Sequence, residues 1–364
     1  MNFLKKLLGS KDKIITTDYK EFWDWFLLQE QPFHDIVKNK KNIDAHFLNK
    51  LMPQLQQINK QFYCLTGMYD ENTVELVITA EGDIKTFVFV EELVATAPAL
   101  PGWKFTALKP SMGNNQSSMT MNNYTFNHDK IQFFSTIEEN YPDEIDITLI
   151  HADFRDADEQ VITNGTLIYL DNALGELNVA TLIDSIQVTG SCPPDTELIP
   201  LDKLEGFLLW REKEFIEKYK GSRRDTQNDK YAMMQAQDAD KLLLIAIINS
   251  ELLNWDAKAS HPWMLVIDID YRSVNNGMPG NDTSELLNQF EDDLTPLLPD
   301  QEGYLNLGRQ TYNNTRTIYF ACQEYRQVSK IVAGLIERYK NKLSISYEIY
   351  KDKYWKTMNR FQRN

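Results

Sequence analysis

The sequence contains none of the short motifs that usually mark nucleotide, zinc or serine-hydrolase sites. It has no Gly-x-Gly-x-x-Gly fingerprint, no Gly-Lys-Ser/Thr loop, no Gly-x-Ser-x-Gly elbow and no His-x-x-x-His or Cys-x-x-Cys pair. Each of these motifs supplies groups that its chemistry requires, such as backbone amides for phosphate or paired imidazoles for zinc. We therefore expect no cofactor, no metal site and no catalytic residue of these types.

Cysteine is scarce and long apolar runs are missing. Cys64, Cys192 and Cys322 are isolated from one another, which favours a reducing cytoplasm over a disulfide framework. Cys322 falls on the apolar face of a predicted strand, so we expect its thiol to be buried and unreactive. The most apolar stretch, residues 242–248, is too short to span a bilayer, and residues 1–9 lack the features of a secretory signal. These patterns predict a cytoplasmic protein without a membrane span.

Positive charge is in short supply overall but concentrated near the C-terminus. The chain has 38 Lys and Arg against 53 Asp and Glu, a net charge of −15 that disfavours nonspecific binding to DNA or anionic membranes. Residues 326–364 carry ten basic and three acidic residues, a net of +7 that leaves −22 on the remainder. Aromatic residues are interleaved there, a pattern that can mark RNA binding. A solvated basic face, or one docked on the acidic residues 138–159, explains the same pattern.

The most informative stretch runs from residue 263 to residue 355. A strand over 264–270 alternates apolar side chains with Asp268 and Asp270, and Asp282 with Glu285 forms a capping pair for the following helix. Strands over 304–312 and 316–322 flank an Asn-Asn turn, and a second helix and a strand over 343–350 follow. This β-α-β-β-α-β order predicts a ferredoxin-like arrangement and an α+β fold with antiparallel sheets covered by helices.

The N-terminal half predicts two helices followed by a recurring element. The helices cover residues 19–33 and a segment that Asp44 caps. The order β-β-α-β then occurs twice, with strands over 62–68, 73–79 and 103–109 and over 131–137, 144–151 and 182–188, and helices over 85–97 and 159–174. Residues 304–350 have the same order. We interpret this as one supersecondary element used repeatedly, and we expect the first two copies to pair in one sheet.

Composition changes divide the chain. Pro193-Pro194-Asp195 is the strongest boundary signal, and the charged residues 211–227 read as a helix that runs into a polar linker. We predict an N-terminal tail over 1–17, an α+β domain over 18–192, a helical connector over 193–229 and a ferredoxin-like domain over 230–361.

Three motifs in a fixed order resemble a known family. They are His261-Pro262-Trp263, Asn276-Gly277-Met278-Pro279 and the run from Tyr350 to Trp355. In these features, residues 231–361 resemble the bacterial domain of unknown function 695 family, which is similar to the B-type protein inhibitors of ribonuclease E. The resemblance implies a ferredoxin-like fold, but it transfers no catalytic residue because the family's function is not established. The family-matching surface candidates are Asn276, Gly277, Pro279, Asp352 and Trp355.

A few polar residues could still carry chemistry. Asp268 and Asp270 have the Asp-x-Asp spacing of some metal-dependent transferases, although an amphipathic strand places two carboxylates on its solvent face in the same way. His261 is the third polar candidate. Asp153, Asp156, Asp158 and Glu159 follow His151, but their spacing does not fit a calcium loop. Capping of a helix N-terminus accounts for them better.

These observations favour a binding protein over an enzyme. We expect a protein-binding or regulatory module without catalytic activity, whose acidic surface favours another protein, a basic one, as partner. One alternative is an enzyme with a dispersed site that includes His261, Asp268 and Asp270. The other alternative is RNA binding by the basic C-terminal segment. The sequence leaves the oligomeric state open.

Overall fold

The computed structural model of the chain describes residues 19–113, 118–274 and 276–362. The chain divides into two units, Met1–Ile216 and Glu217–Asn364. The first unit contains a three-stranded sheet, a four-stranded sheet and a separate two-stranded hairpin, and the second is built on one six-stranded sheet. Both units combine helices with strands, and nearly all strand pairs are antiparallel, so the predicted α+β class is confirmed.

The first unit begins with aromatic-rich helices packed on a three-stranded sheet. Its elements are α1 (Tyr19–Lys38), α2 (Asn49–Ile58), β1 (Tyr63–Met68), β2 (Val74–Thr79), α3 (Ile84–Ala95) and β3 (Trp103–Ala107). The sheet order is β1-β2-β3, with β3 parallel to β2. Helix α1 is longer than predicted and continues past Pro32, because Phe33 and Val37 extend its buried face. Asp44 is not a cap, since a π-helical turn (Asp44–Leu48) without a side-chain capping bond leads into α2.

A four-stranded sheet completes the first unit. Its elements are β4 (Met119–Met121), β5 (Tyr124–Phe126), β6 (Ile131–Thr136), β7 (Asp146–His151), α4 (Glu159–Leu174), α5 (Glu176–Leu182), β8 (Ser185–Thr189), β9 (Ile199–Pro200) and α6 (Leu204–Tyr219). β4 and β5 form a separate hairpin, and the main sheet has the order β8-β7-β6-β9. Leu204 and Leu208 of α6 lie in the core of this sheet, so the first unit continues beyond the Pro193-Pro194 segment.

The first unit contains the order β-β-α-β at β1-β2-α3-β3 and again, with the added helix α5, at β6-β7-α4-β8, but the two copies do not share a sheet. β1-β2-β3 and β8-β7-β6-β9 are separate, so the expectation of one common sheet is wrong. Both edges of β6 are occupied, by β7 and by β9, a strand that lies outside the predicted copy. The edge strands β8 and β9 of this sheet form no ladder with β1 or β3, the edge strands of the first sheet.

The buried carboxylate of Glu176 joins the two sheets of the first unit. It accepts hydrogen bonds from the Thr79 hydroxyl at 2.6 Å, the Gly82 amide at 2.8 Å and the Lys109 amide at 3.0 Å. Thr79 and Gly82 belong to the first sheet and its following turn, whereas Glu176 begins α5 above the second sheet. Lys109 also places its ammonium 2.9 Å from carboxylate oxygens of Glu81 and Asp171.

The second unit is a six-stranded antiparallel sheet. Its elements are β10 (Tyr231–Gln237), β11 (Leu243–Asn249), β12 (Trp263–Asp270), α7 (Asn281–Leu294), β13 (Tyr304–Tyr312), β14 (Thr315–Cys322), α8 (Arg326–Tyr339) and β15 (Ser344–Lys351). The strand order is β10-β11-β13-β14-β12-β15. β12 to β15 with their two helices form the predicted split-βαβ arrangement, and β10 and β11 extend it at one edge. The two helices contact each other, and Phe290 of α7 meets Tyr339 of α8 with ring centroids 5.2 Å apart.

The start of α7 differs from the predicted one. The helix is capped by Gly280, whose carbonyl accepts from the Ser284 amide at 2.8 Å, and no side-chain capping bond forms. Asp282 therefore lies inside the first turn, where its charge complements the helix dipole without capping it.

The opposite face of the sheet is covered at one end by the C-terminal segment. A 3₁₀ helix (Lys356–Phe361) follows β15, and Trp355, Met358 and Phe361 share a core with Met264 and Tyr319. Trp355 is 1% exposed, so its expected place among the surface candidates is wrong, because its large ring is buried against the sheet and holds the C-terminal segment there.

Candidate functional site

Two of the family-matching motifs, almost ninety residues apart in sequence, meet at the start of β12. The pairing of β12 with β15 places Trp263 opposite Lys351. The Asp352 amide donates to the Pro262 carbonyl at 2.8 Å, and the Trp355 indole donates to the His261 carbonyl at 3.0 Å. We call the group formed by Trp255, Lys258, His261, Asp352 and Trp355 the His261 corner.

His261 itself is fully enclosed. The Ser260 hydroxyl donates to the Ala257 carbonyl at 2.6 Å, so its oxygen, 2.9 Å from His261 Nδ1, accepts a hydrogen bond from that nitrogen. The other ring nitrogen, Nε2, then carries a lone pair and is buried without a hydrogen-bond partner in the described part of the chain. Burial lowers the pKa of the imidazole to about 4, and the charge of Arg223 acts in the same direction. At neutral pH this residue is an uncharged base that solvent does not reach.

Asp352 and Trp355 hold the C-terminal segment in place. The Asp352 carboxylate accepts from the Lys356 amide at 2.7 Å, the Thr357 amide at 2.9 Å and the Thr357 hydroxyl at 2.8 Å. It therefore caps the 3₁₀ helix and has little capacity left for a ligand. Trp355 is 1% exposed, and its backbone φ is 55°. Lys258 lies 6.0 Å from the Trp355 ring, and burial lowers the pKa of its ammonium.

Asp268 and Asp270 lie on one strand face, as predicted, but at the other end of β12. Asp268 accepts from the Thr317 hydroxyl at 2.7 Å, and Asp270 accepts from the Thr315 hydroxyl at 3.0 Å. Burial raises the pKa of Asp268, and the charges of Asp270 and Glu348 add to the effect. At about 3.3 Å per residue, seven residues of strand separate Asp268 from His261 by about 20 Å or more. The three polar candidates therefore do not converge on one site.

The third family-matching motif packs against the β13–β14 hairpin. The Gly277 carbonyl accepts from the Tyr271 hydroxyl at 2.8 Å and from the Asn314 amide at 3.0 Å. Asn276 and Gly277 have φ angles of 45° and 80°, and a Cβ on Gly277 would lie 3.0 Å from the Asn313 Cα. Pro279 follows and is half-buried. The family-matching residues thus form two groups, with Asn276, Gly277 and Pro279 at the opposite end of β12 from Asp352 and Trp355.

The acidic loop and His151 have structural roles in the first unit. His151 is buried, with Nε2 3.1 Å from the Thr125 carbonyl oxygen and Nδ1 accepting from the Asp153 amide at 3.1 Å. Asp158 precedes α4, but no side-chain capping bond forms, and its carboxylate accepts from the Tyr124 hydroxyl at 2.8 Å. Across residues 19–113, 118–274 and 276–362, no group of three or more histidine, cysteine or acidic side chains could hold a metal ion.

The aromatic residues of the basic segment are mostly core residues. Tyr339, Tyr347, Trp355 and Phe361 are all less than a tenth exposed. A nucleic-acid base can stack only on a ring that it can reach, so these four side chains cannot serve as stacking platforms. Cys322 is also buried as predicted, and burial raises the pKa of its thiol well above the ordinary value.

The first unit has two shallow clefts beside the segment that joins α3 to β3. One, of about 530 Å³, is lined by Val94, Pro98, Leu100, Trp103 and Phe105, among others. The second, of about 500 Å³, lies between Trp23, Leu27 and Pro98. No titratable side chain lines the first cleft, whereas Tyr19, Lys20 and Asp24 also line the second. Lys20 and Asp24 are exposed and form an ion pair with each other along α1, as surface helix residues commonly do.

The surface that sequence reasoning missed is the outer edge of the second unit's sheet. β10 pairs with β11 on one side only and is the first strand of the sheet. Met233 is 71% exposed and Tyr231 is 47% exposed. The signal was an uncharged run, Tyr-Ala-Met-Met-Gln-Ala-Gln, a short polar turn and then the apolar residues 242–248, which together indicate a hairpin.

Helices of the described segments contain no stretch both long and apolar enough to cross a membrane. Searches among curated proteins and among solved structures find no match to the chain. A family model does match the C-terminal part, 132 of the 364 residues. Its match over residues 230–361 is to the family described as "Family of unknown function (DUF695)", which confirms the resemblance to that family inferred from the sequence.

Proposed function

We propose that this chain is a protein-binding module that captures an extended segment of its partner by adding a strand to β10. The observation that carries the proposal is the exposed and unprotected edge of the six-stranded sheet. Strand addition is a common mode of peptide recognition in which backbone hydrogen bonds supply affinity.

The edge of β10 lacks the features that normally prevent strand pairing. Natural edge strands are protected by lysines, prolines, bulges or a covering element. The seven residues of β10 contain no charge and no proline, and its pairing with β11 is regular. Its exposed Met233 offers apolar contact beside the free backbone edge, whereas the Tyr231 hydroxyl reaches back to the Asn306 carbonyl of β13 at 3.5 Å. A partner strand would find both hydrogen-bonding groups and apolar surface there.

The backbone geometry identifies the available groups. The Lys230 carbonyl accepts from the Ser250 amide at 3.1 Å, and the Asp238 amide donates to the Leu242 carbonyl at 3.2 Å. Because successive residues of a strand point their backbone groups to opposite sides, the even-numbered residues face β11. The N–H and C=O groups of the four odd-numbered residues, from Tyr231 to Gln237, point away from the sheet.

The finer parts of the proposal come from the sequence. The proposal includes a cytoplasmic bacterial setting and the absence of catalysis. It also includes a likeness to ribonuclease E inhibitors, which act by binding a protein. The acidic balance of the chain favours a basic partner. The enzyme alternative has less support because His261 lies at one end of β12 and Asp268 and Asp270 at the other, and RNA binding has less because most of the aromatic residues of the basic segment are buried.

Affinity capture with matched baits tests the proposal. Gln235→Pro removes an outward-facing N–H and is compatible with an edge strand, whereas Gln235→Ala keeps that group. Wild type and Gln235→Ala should recover the same protein at a stoichiometric level from the native host, and Gln235→Pro should lose it. Equal recovery by all three baits, or recovery of only a small metabolite, would contradict the proposal.

A further inference from the structure

We infer that the partner strand at β10 comes from a second copy of this chain, paired antiparallel about a two-fold axis that passes beside Met234. The inference rests on the proposed function for the use of this edge, and it names a second copy of the chain in place of the basic partner that the overall charge favours. It makes the protein a homodimer whose two sheets are continuous. An interface of this kind uses the same surface on both copies, as two-fold symmetry requires.

The outward-facing backbone groups match this symmetry. With Met234 opposite Met234 of the second copy, Tyr231 pairs with Gln237 and Met233 pairs with Gln235. All four belong to the set that points away from β11, so each pair exchanges two hydrogen bonds. The arrangement satisfies both groups of every outward-facing residue and yields about eight backbone hydrogen bonds. A register shifted by two residues leaves some of these groups unpaired.

The charges around β10 favour the same register. Lys230 immediately precedes the strand and Asp238 immediately follows it, with no charge between them. Antiparallel pairing about Met234 places Lys230 opposite Asp238 of the second copy at both ends of the new strand pair. Two copies of a chain with a net charge of −15 repel each other elsewhere, so a contact surface between them must be neutral or complementary. Parallel pairing would instead place Lys230 beside Lys230.

Apolar burial adds to the contact. Tyr231 and Met233 project from the same face of β10, because residues two apart in a strand share a face. Across the two-fold axis, Met233 lies diagonal to Met233 of the second copy, within reach of a long side chain. The most exposed apolar side chain of the strand, 71% accessible, is then covered by its own counterpart.

Sedimentation equilibrium and light scattering from about 1 to 100 μM test the inference. We expect a reversible dimer for the wild type and at least tenfold weaker association for Met233→Lys and for Gln235→Pro. Lys230→Glu should also weaken association, because it opposes Asp238 with a like charge. Val274→Lys is the matched control, since Val274 is 75% exposed in a loop of the same unit. It should associate like the wild type.

A cysteine at the axis tests the register. Antiparallel residues that directly face each other in a non-hydrogen-bonded pair have Cα atoms about 4.5 Å apart, within the range for a disulfide. Met234→Cys should therefore form a covalent dimer on mild oxidation, whereas Gln237→Cys should form little more than the wild type. Efficient linkage through position 237 with none through position 234 would overturn the inferred register.

The outcomes separate this inference from the proposed function. A wild type that is monomeric at 100 μM, or a dimer that survives Gln235→Pro and Met233→Lys, overturns the second-copy inference. If the wild type is monomeric but still recovers a different protein, and Gln235→Pro does not, the proposed function stands and only the second-copy inference fails. Loss of both dimerisation and capture by the same variants, with Val274→Lys unaffected, supports both.

Discussion

At the scale of single residues, His261 shows how burial decides what a side chain can do. It is enclosed beside Trp255, whose ring centroid lies 5.4 Å away, and one ring nitrogen is engaged by Ser260. A histidine in such surroundings stays neutral because the apolar environment penalises the charged form. The residue therefore contributes to the packing of the His261 corner and makes the corner sensitive to acid.

The neutral state of His261 predicts a specific pH dependence of stability. Its folded pKa of about 4 lies below the ordinary value of 6.5, so the unfolded chain binds a proton first as the pH falls. Between pH 7 and pH 5, the free energy of unfolding of the wild type should fall by about 2 kcal/mol more than that of His261→Gln. Urea unfolding at both pH values measures this difference. His46 is exposed, so His46→Gln should show the same pH dependence of the unfolding free energy as the wild type. If His261→Gln loses as much unfolding free energy as the wild type, His261 is not the residue responsible.

Asp352 provides a second test at this scale, because its carboxylate caps the C-terminal 3₁₀ helix. Asp352→Ala leaves two backbone amides and the Thr357 hydroxyl without an acceptor, and should cost about 1–2 kcal/mol. Asp352→Asn retains an acceptor oxygen and should cost clearly less. Denaturant unfolding followed by tryptophan fluorescence reports the change, because Trp355 lies in this segment. Equal effects of the two variants would argue against capping.

At the scale of elements, a bulge in β13 determines how β11 meets the rest of the sheet. The register of β13 against β14 shifts between Asn306 and Gly308. Gly308 has a φ of +124°, and a Cβ there would lie 2.2 Å from the Ile247 carbonyl oxygen in β11. Only glycine allows this approach, so the residue permits the close contact through which the split-βαβ core gains its two additional strands.

Two glycine-to-alanine substitutions should have opposite effects in the second unit. Gly308→Ala should destabilise it by about 2–3 kcal/mol, because β11 must move or the backbone must stay strained. Gly334→Ala should stabilise it by about 0.5–1 kcal/mol, because Gly334 lies inside α8 with open space around it. Thermal and urea unfolding of both variants give the comparison. A neutral Gly308→Ala would show that the bulge is not constrained.

At the scale of the whole molecule, a single buried carboxylate connects two separate sheets of the first unit. Glu176 is 1% exposed and accepts four hydrogen bonds, from Thr79, Ala80, Gly82 and Lys109. A buried charge is tolerated when several donors surround it, and it becomes costly when they are removed. The two β-β-α-β elements of the first unit are therefore coupled by polar contacts at this residue and by the ion pair of Lys109 with Asp171, without a shared strand ladder.

Removal of the Glu176 carboxylate should uncouple these elements. Glu176→Ala leaves several buried donors unsatisfied and should cost about 3 kcal/mol or more, with a broader unfolding transition for the first unit. Glu81→Ala is the control, because Glu81 is exposed and its ion pair with Lys109 should contribute less than about 1 kcal/mol. Calorimetry measures both variants. A small effect for Glu176→Ala would place the coupling elsewhere.

Local patterns predicted most of the elements and few of their contacts. The alternation of β12 and the Asn313-Asn314 turn, with φ angles of 45° and 68°, follow from side-chain period and backbone sterics, which are local properties. Asp44 and Asp282 were wrong as caps, because the exact first residue of a helix depends on neighbouring packing. The exposed edge of β10 was missed because strand order is not encoded in any short window.

The amino-acid sequence by itself determined the α+β class, the β-α-β-β-α-β order of residues 263–351 and the burial of Cys322, because hydrophobic period and turn chemistry act over a few residues. Only the tertiary structure decided that the two β-β-α-β copies of the first unit lie in different sheets and that His261 meets Trp355. It also decided that β10 is left as an open edge. These outcomes depend on which strands compete for a limited number of edges, and that competition is settled by contacts between residues far apart in the chain.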